Sequence, residues 1–142
     1  MIIRSIISIK SHEILTVKSK TTLKEAATLL TQRKIGALPV VDDIGSLIGI
    51  ISERDIVRIC ASDNADAMGS LVENAMTTKL EVASLDDSID MALARMTDRR
   101  IRHLPVVEAG KLVGIVSIGD LVKIQIDRAL AEADAMRAYI QS

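Results

Sequence analysis

The segment IGALPVV, Ile35 to Val41, leads through a short turn into GIISERDIVRI, Gly49 to Ile59, and both return farther along as IRHLPVV, Ile101 to Val107, and GIVSIGDLVKI, Gly114 to Ile124. Five of seven and six of eleven positions are identical between the paired segments. The first pair is offset by 66 residues (101 − 35) and the second by 65 (114 − 49), so the first copy carries one extra residue in its turn, VVDDIGSLIGI against VVEAGKLVGI. A length change confined to a turn is what a duplicated unit tolerates. The chain therefore reads as two copies of one supersecondary unit.

Within each copy the hydrophobic periodicity follows one order. Val17 belongs to a short strand, Thr22 caps a helix whose apolar side falls on Leu23, Ala26, Ala27 and Leu30, and LPVV is a buried strand. A turn, DDIGS or EAGK, joins that strand to LIGIIS or LVGIVS as a hairpin, and a second helix follows. The second copy repeats this with Val82, then Ser88 with Ile89, Ala92, Leu93 and Met96. A β-α-β connection makes the first two strands parallel and the tight turn makes the next pair antiparallel. The expected fold is α/β: tandem repeats, each a small three-stranded mixed sheet with two helices, packed against each other with pseudo-twofold symmetry. The expected division is a first repeat with its lead-in over residues 1–62, a linker over 63–70, a second repeat over 71–126 and a helical extension over 127–142.

Composition removes several function classes. At 142 residues the chain fits one ordinary domain, which buries roughly two thirds of its unfolded surface without staples. No apolar run approaches the ~20 residues of a membrane span, and MIIRSIISIK is broken by Arg4 and lacks a signal-peptide cleavage site. A cytoplasmic location is expected. Cys60 is the one cysteine, and IVRICA reads as a helix that buries it. Eighteen Lys and Arg balance nineteen Asp and Glu, Tyr139 is the single aromatic, and neither a phosphate-neutralising run nor a stacking platform for nucleic acid is present. His12 and His103 have no paired nucleophile by sequence logic, and no metal-ligand spacing or phosphate-loop glycine pattern occurs, so neither catalytic nor metal residues are assigned.

The residues with chemistry are Ser52 and Asp55, and Ser117 and Asp120, each pair spanning a strand-to-helix junction. Ser-x-x-Asp is a variant of the capping box, with the hydroxyl accepting from a first-turn N–H and the acid complementing the positive helix end. The same geometry suits a nucleotide: free N–H groups take a phosphate, and a carboxylate accepts from vicinal ribose hydroxyls. One copy alone is a plain cap.

The order LPVV, turn, GIISERD or GIVSIGD, then helix, twice over, resembles the cystathionine-β-synthase-type (CBS) domain pair, here as a stand-alone pair, over about Ile14 to Ile126. The resemblance implies a regulatory module binding AMP, ATP, NAD(H) or S-adenosylmethionine in clefts between the repeats, with Ser52, Asp55, Ser117 and Asp120 on phosphate and ribose. It also implies that the stretches around each proline line the pocket: Ile35, Gly36, Ala37, Leu38 and Pro39 in one copy, Arg102, His103, Leu104 and Pro105 in the other. Arg102 offers a bidentate phosphate contact. Gly36 and Ala37 stand where the second copy has Arg102 and His103, so the two sites should differ. Arg54 is a further phosphate candidate without a counterpart, since Gly119 occupies the matching position. Without Phe or Trp, aliphatic walls must hold adenine, with Ile35, Leu38, Val17, Leu104 and Val82 as candidates.

From Ile118 a long helix is expected to run to about Tyr139, with Val122, Ile126, Ala129, Ala133, Met136 and Ile140 forming an a/d-type seam. That seam, and the family's habit of pairing through helices, points to a homodimer. Three readings compete: a nucleotide sensor acting on an unidentified regulated protein, a ligand-free dimerisation scaffold, and a hydrolase.

Overall fold

A computed structural model of the chain describes residues 1–10, 14–62 and 66–141, so His12 and the first three linker positions lie outside it. The helices are α1 (Ile3–Lys10), α2 (Leu23–Arg33), α3 (Glu53–Ala61), α4 (Ile89–Arg99) and α5 (Ile118–Gln141). The strands are β1 (Val17–Lys18), β2 (Ala37–Val41), β3 (Leu47–Ser52), β4 (His103–Glu108) and β5 (Lys111–Ser117). Two single-turn 3-10 segments, Ala67–Gly69 and Val72–Asn74, lie between α3 and α4.

Local chemistry accounts for the helix boundaries. Thr22 Oγ1 accepts from Glu25 N at 3.1 Å while Glu25 Oε2 accepts from Thr22 N at 3.2 Å, a reciprocal cap that starts α2. Ser88 Oγ accepts from Met91 N at 3.0 Å and starts α4. Both helices end in a left-handed residue, Lys34 and Arg100, each at φ 54°. The left-handed turn swings the chain out of the helix and straight into the strand that holds the proline.

In the first copy β1 pairs parallel with β2, and β2 antiparallel with β3. In the second, β4 pairs antiparallel with β5, while the parallel strand is reduced to one bridge, Ala83 against Val106. Ala83 N donates to Pro105 O at 2.8 Å and Val107 N to Ala83 O at 3.0 Å. The expected three-stranded mixed sheet is thus complete in the first copy and pared down in the second. Val82, expected in that strand and in a ligand wall, is exposed at 42% because its neighbour Ala83 takes the inward position. Cys60 also departs from expectation. It is exposed, since α3 turns Asp55 and Ile56 inward and leaves Val57 and Cys60 outside, with the thiol 3.8 Å from Met68 Sδ.

Each copy has its own core, and each core is completed by the opening segment of the other copy. Leu23, Ala26, Leu30, Leu38, Val40 and Ile51 are joined by Val72 and Ala75. Ile89, Ala92, Met96, Leu104, Val106, Val116 and Leu121 are joined by Ile3 and Ile6 of α1. The backbone follows the same exchange: Val72 N donates to Thr21 O at 2.7 Å and Glu73 N to Ser19 O at 3.1 Å, while Ile3 N donates to Asp87 O and Arg4 N to Leu85 O, both at 2.9 Å. The N-terminal lead-in thus packs on the second repeat, and residues 72–76 pack on the first.

This exchange explains the glycine that opens both GIIS and GIVS. A Cβ on Gly49 would sit 2.6 Å from Met76 Sδ, and one on Gly114 would sit 2.5 Å from Ile7 Cδ1. Such distances are well inside van der Waals contact, so a side chain at Gly114 would force the Ile7 side chain to move, and one at Gly49 would force Met76 to move while also meeting Thr77 O at 3.1 Å. Gly114→Ala is expected to cost about 1–3 kcal/mol of unfolding free energy in urea. Combined with Ile7→Val, which deletes the clashing Cδ1, the loss should be smaller than the sum of the two single losses; simple additivity would contradict the contact.

Candidate functional site

The two Ser-x-x-Asp motifs form the same local structure. Ser52 N donates to Asp55 Oδ2 at 2.9 Å and Asp55 N to Ser52 Oγ at 3.3 Å; Ser117 N donates to Asp120 Oδ2 at 2.9 Å and Asp120 N to Ser117 Oγ at 3.1 Å. Both are reciprocal caps, holding the first turns of α3 and α5 against the ends of β3 and β5. The stretch before each proline adds a second clamp on the same turns. Gly36 O accepts from Glu53 N at 3.1 Å, and Arg102 O accepts from Ile118 N at 2.8 Å. Strand, cap and helix start are thereby locked together in each copy.

Beyond the cap the two sites diverge. Asp55 is buried, 4% exposed, and its carboxylate is heavily engaged: Arg58 Nη2 lies 3.0 Å from Oδ1, Ser52 Oγ donates to Oδ2 at 3.0 Å, and Thr77 Oγ1 reaches Oδ1 at 3.4 Å. Thr77 is held there by a two-way backbone bridge to Ile50, at 2.9 and 3.0 Å. Thr77 therefore lies alongside β3 with its hydroxyl on this carboxylate.

At the second motif a cavity of about 410 Å³ opens instead. Ser117 and Asp120 line it together with Ile35, Gly36 and Ala37 from the first copy and His103 from the second. Lys34, the left-handed cap of α2, also lines it, and Ile7, Ile14, Leu15, Val113 and Ile115 supply aliphatic walls. The volume falls in the range of ligand pockets, which are typically about 300–1,000 Å³, mostly apolar with a few convergent polar groups. The chemistry on offer is a half-buried carboxylate, a hydroxyl at a helix N-terminus, two basic side chains and a slot between branched aliphatics.

Six of the residues singled out from sequence, Ser117, Asp120, Ile35, Gly36, Ala37 and His103, meet in this cavity. The others lie elsewhere. Leu38, Pro39, Leu104 and Pro105 are buried within their own copies, as is Val17. Arg54 and Arg102 are exposed and outside the cavity lining. His103 sits against Gly36: a Cβ there would meet His103 Cε1 at 3.1 Å, so the imidazole occupies the space that the small residue leaves. Sequence reasoning passed over Lys34, Ile7, Ile14, Leu15, Val113 and Ile115. The alternation of Val113 and Ile115 on either side of Gly114 was a readable signal for one face of β5, whereas Ile7 arrives only through the exchange of lead-ins.

Among the described residues no cluster of His, Cys, Asp and Glu is arranged to hold a metal ion, and no helix is long and apolar enough to cross a membrane. The family model for the CBS domain matches residues 4–62 and again 72–127. The chain is a CBS domain pair. Such a pair is a regulatory module, and its relatives and structural neighbours share the architecture. A 17.7 kDa protein of Acidianus ambivalens is 37% identical over 120 residues, spanning 84% of this chain and 71% of its own length. The CBS domain-containing protein YhcV of Bacillus subtilis is 37% identical over 109 residues, 77% and 76% of the two chains. The crystal structure of a CBS-domain containing protein from Agrobacterium tumefaciens superposes with a TM-score of 0.84 at 36% identity, covering 88% of this chain and 99% of that one. The CBS domain pair of protein MJ0100, solved in complex with 5′-methylthioadenosine and S-adenosyl-L-methionine, has a TM-score of 0.80 at 29% identity and covers 90% and 98%.

The engaged carboxylate of the first motif leads to a stability prediction for this CBS pair. Asp55→Ala removes the cap and strands the hydrogen bonds of Ser52 and Thr77, and should lower the unfolding free energy by about 1–3 kcal/mol, read from urea denaturation. A change below a few tenths would contradict the structural role.

Proposed function

We propose that this CBS pair binds one adenosine-containing ligand, of the AMP, ATP, NAD(H) or S-adenosylmethionine class, in the Ser117/Asp120 cleft, and that binding regulates an associated protein. The observation that carries the reading is the convergence in one 410 Å³ cavity of Asp120, Ser117 and the first-copy stretch Ile35–Ala37. Asp120 accepts from the two ribose hydroxyls. The N-terminus of α5, with Ser117, faces the phosphate or the amino-acid carboxylate, Lys34 adds positive charge, and His103 adds a hydrogen-bonding imidazole. The aliphatic walls sandwich the adenine, whose edge is read by backbone groups of the Gly36 stretch. The ligands bound by the MJ0100 pair belong to the same class, adenosine carrying a 5′ substituent.

The chain acts as a sensor rather than an enzyme, in the cytoplasm and as a homodimer. A ligand in this cleft touches both copies at once, through Ile35–Ala37 on one side and Ser117 and Asp120 on the other. Its affinity therefore depends on how the copies sit against each other, and by reciprocity its binding biases that arrangement. The Ser52/Asp55 pair serves as a structural cap and carries no ligand, because Thr77 and Arg58 already satisfy the carboxylate.

A thermal-shift series with AMP, ATP, NAD(H) and S-adenosylmethionine tests the reading. At 100 times its Kd a ligand adds about 2.7 kcal/mol to stability, a rise of several degrees in Tm. At least one compound should produce such a rise in wild type and in Asp55→Ala, and the rise should vanish in Asp120→Ala. No response to any of the four compounds would reject the sensor in favour of a scaffold. A response lost in Asp55→Ala but kept in Asp120→Ala would move the site to the other cleft.

A further inference from the structure

Among the described residues none covers the last stretch of α5. The helix has 24 residues, Leu121 is its one fully buried side chain, and Ile118, Ile124, Gln125 and Arg128 are half-buried along the side that faces the second copy. Past Arg128 all but the half-buried Ala133 are exposed. Ile126 is 54% exposed, Met136 61% and Ile140 75%. Val122, Ile126, Ala129, Ala133, Met136 and Ile140 follow one another at four, three, four, three, four, so they share one stripe about a quarter turn away from the domain-facing side.

With Ile126, Ala133 and Ile140 at heptad position a and Val122, Ala129 and Met136 at d, the flanking positions carry charge that selects the partner. Glu132 falls at g and Arg137 at the following e. In a parallel two-stranded coil the g residue of one helix lies beside the next e residue of the other, five positions on. Glu132 then meets Arg137 of a second copy, and the twofold axis creates the pair twice. Antiparallel pairing with the stripe fully overlapped centres near Ala131 and sets the two Glu132 carboxylates against each other. Arg137 touches Asp134 of its own helix at 3.5 Å, but that pair is exposed on both sides, and a guanidinium has donors for two acids. The small Ala129 and Ala133 let two backbones approach closely.

We propose that α5 beyond Arg128 pairs with α5 of a second copy as a parallel, in-register two-stranded coil held in orientation by reciprocal Glu132–Arg137 pairs. The inference rests on the homodimer reading above and adds its surface and polarity. Parallel α5 helices place both Ser117/Asp120 clefts at the same end of the coil, since each cleft adjoins the start of its own α5.

The full-length chain carrying Cys60→Ser, with either Met136→Cys or Ile140→Cys, is oxidised mildly at micromolar concentration. Only a parallel, in-register coil brings identical seam positions together, so both variants should form disulfide-linked dimers while Ala131→Cys, on the outer face, does not. Glu132→Arg and Arg137→Glu should each weaken the dimer about three- to tenfold in sedimentation equilibrium, and the double exchange should restore it. A dimer in sedimentation without cross-linking at 136 or 140, or with equal cross-linking at 131, overturns the parallel coil and leaves the homodimer standing. A chain that stays monomeric at 100 times the cross-linking concentration overturns both.

Discussion

The fold depends on a mutual exchange at two glycines. Ile7 presses on Gly114 and Met76 on Gly49, each delivered by the opening segment of one copy, which completes the core of the other. The core of the first copy includes Val72 and Ala75 and that of the second Ile3 and Ile6, and fully burying a Val or Ile side chain is worth about 1.5–3 kcal/mol. The two copies therefore share their core-forming segments.

The same exchange breaks the symmetry that duplication would impose. Thr77 follows directly on Met76, so the segment that packs on Gly49 continues alongside β3 as a bridge to Ile50 and a hydroxyl on Asp55. At the second motif Asp120 lines a cavity instead, where Ile14 and Leu15, just ahead of β1, serve as walls. Two motifs identical at Ser and Asp thus acquire different surroundings. Both carboxylates cap a helix, but Asp55 is also engaged by Arg58 and Thr77, whereas Asp120 lines a space of ligand size. The substitution of Arg102 and His103 for Gly36 and Ala37 reinforces the difference, with the imidazole of His103 lodged against Gly36 while Arg102 stays in solvent.

Much of this was legible in the amino acids because it is local or repeated. The reciprocal caps at Thr22 and Ser52, the cap at Ser88, the hairpins after each LPVV, and the length of α5 follow from residue types at fixed spacing, where the interacting groups lie within one turn or one hairpin. Duplication then strengthened each local reading by supplying a second example. Fully buried residues such as Leu38, Leu104, Ile89 and Met96 also declared themselves by periodicity, although periodicity did not separate core from cavity wall, and Leu38 and Leu104 proved to be core. Cys60 and Val82 were misjudged for a related reason. An apolar run marks a helix or strand without saying which of its sides another element will cover.

What the sequence determined by itself was the repeated unit, its strand and helix order, and the identity of the two acids at the helix starts, because those rest on contacts between near neighbours. Which acid faces a cavity, which lead-in fills which core, and what packs against the glycine within β3 and β5 were decided only in the tertiary structure. Those outcomes rest on contacts between residues about 25 to more than 100 positions apart, Met76 with Gly49 or Ile7 with Gly114. No spacing rule records such a contact, since it exists only once the chain has brought the two segments together.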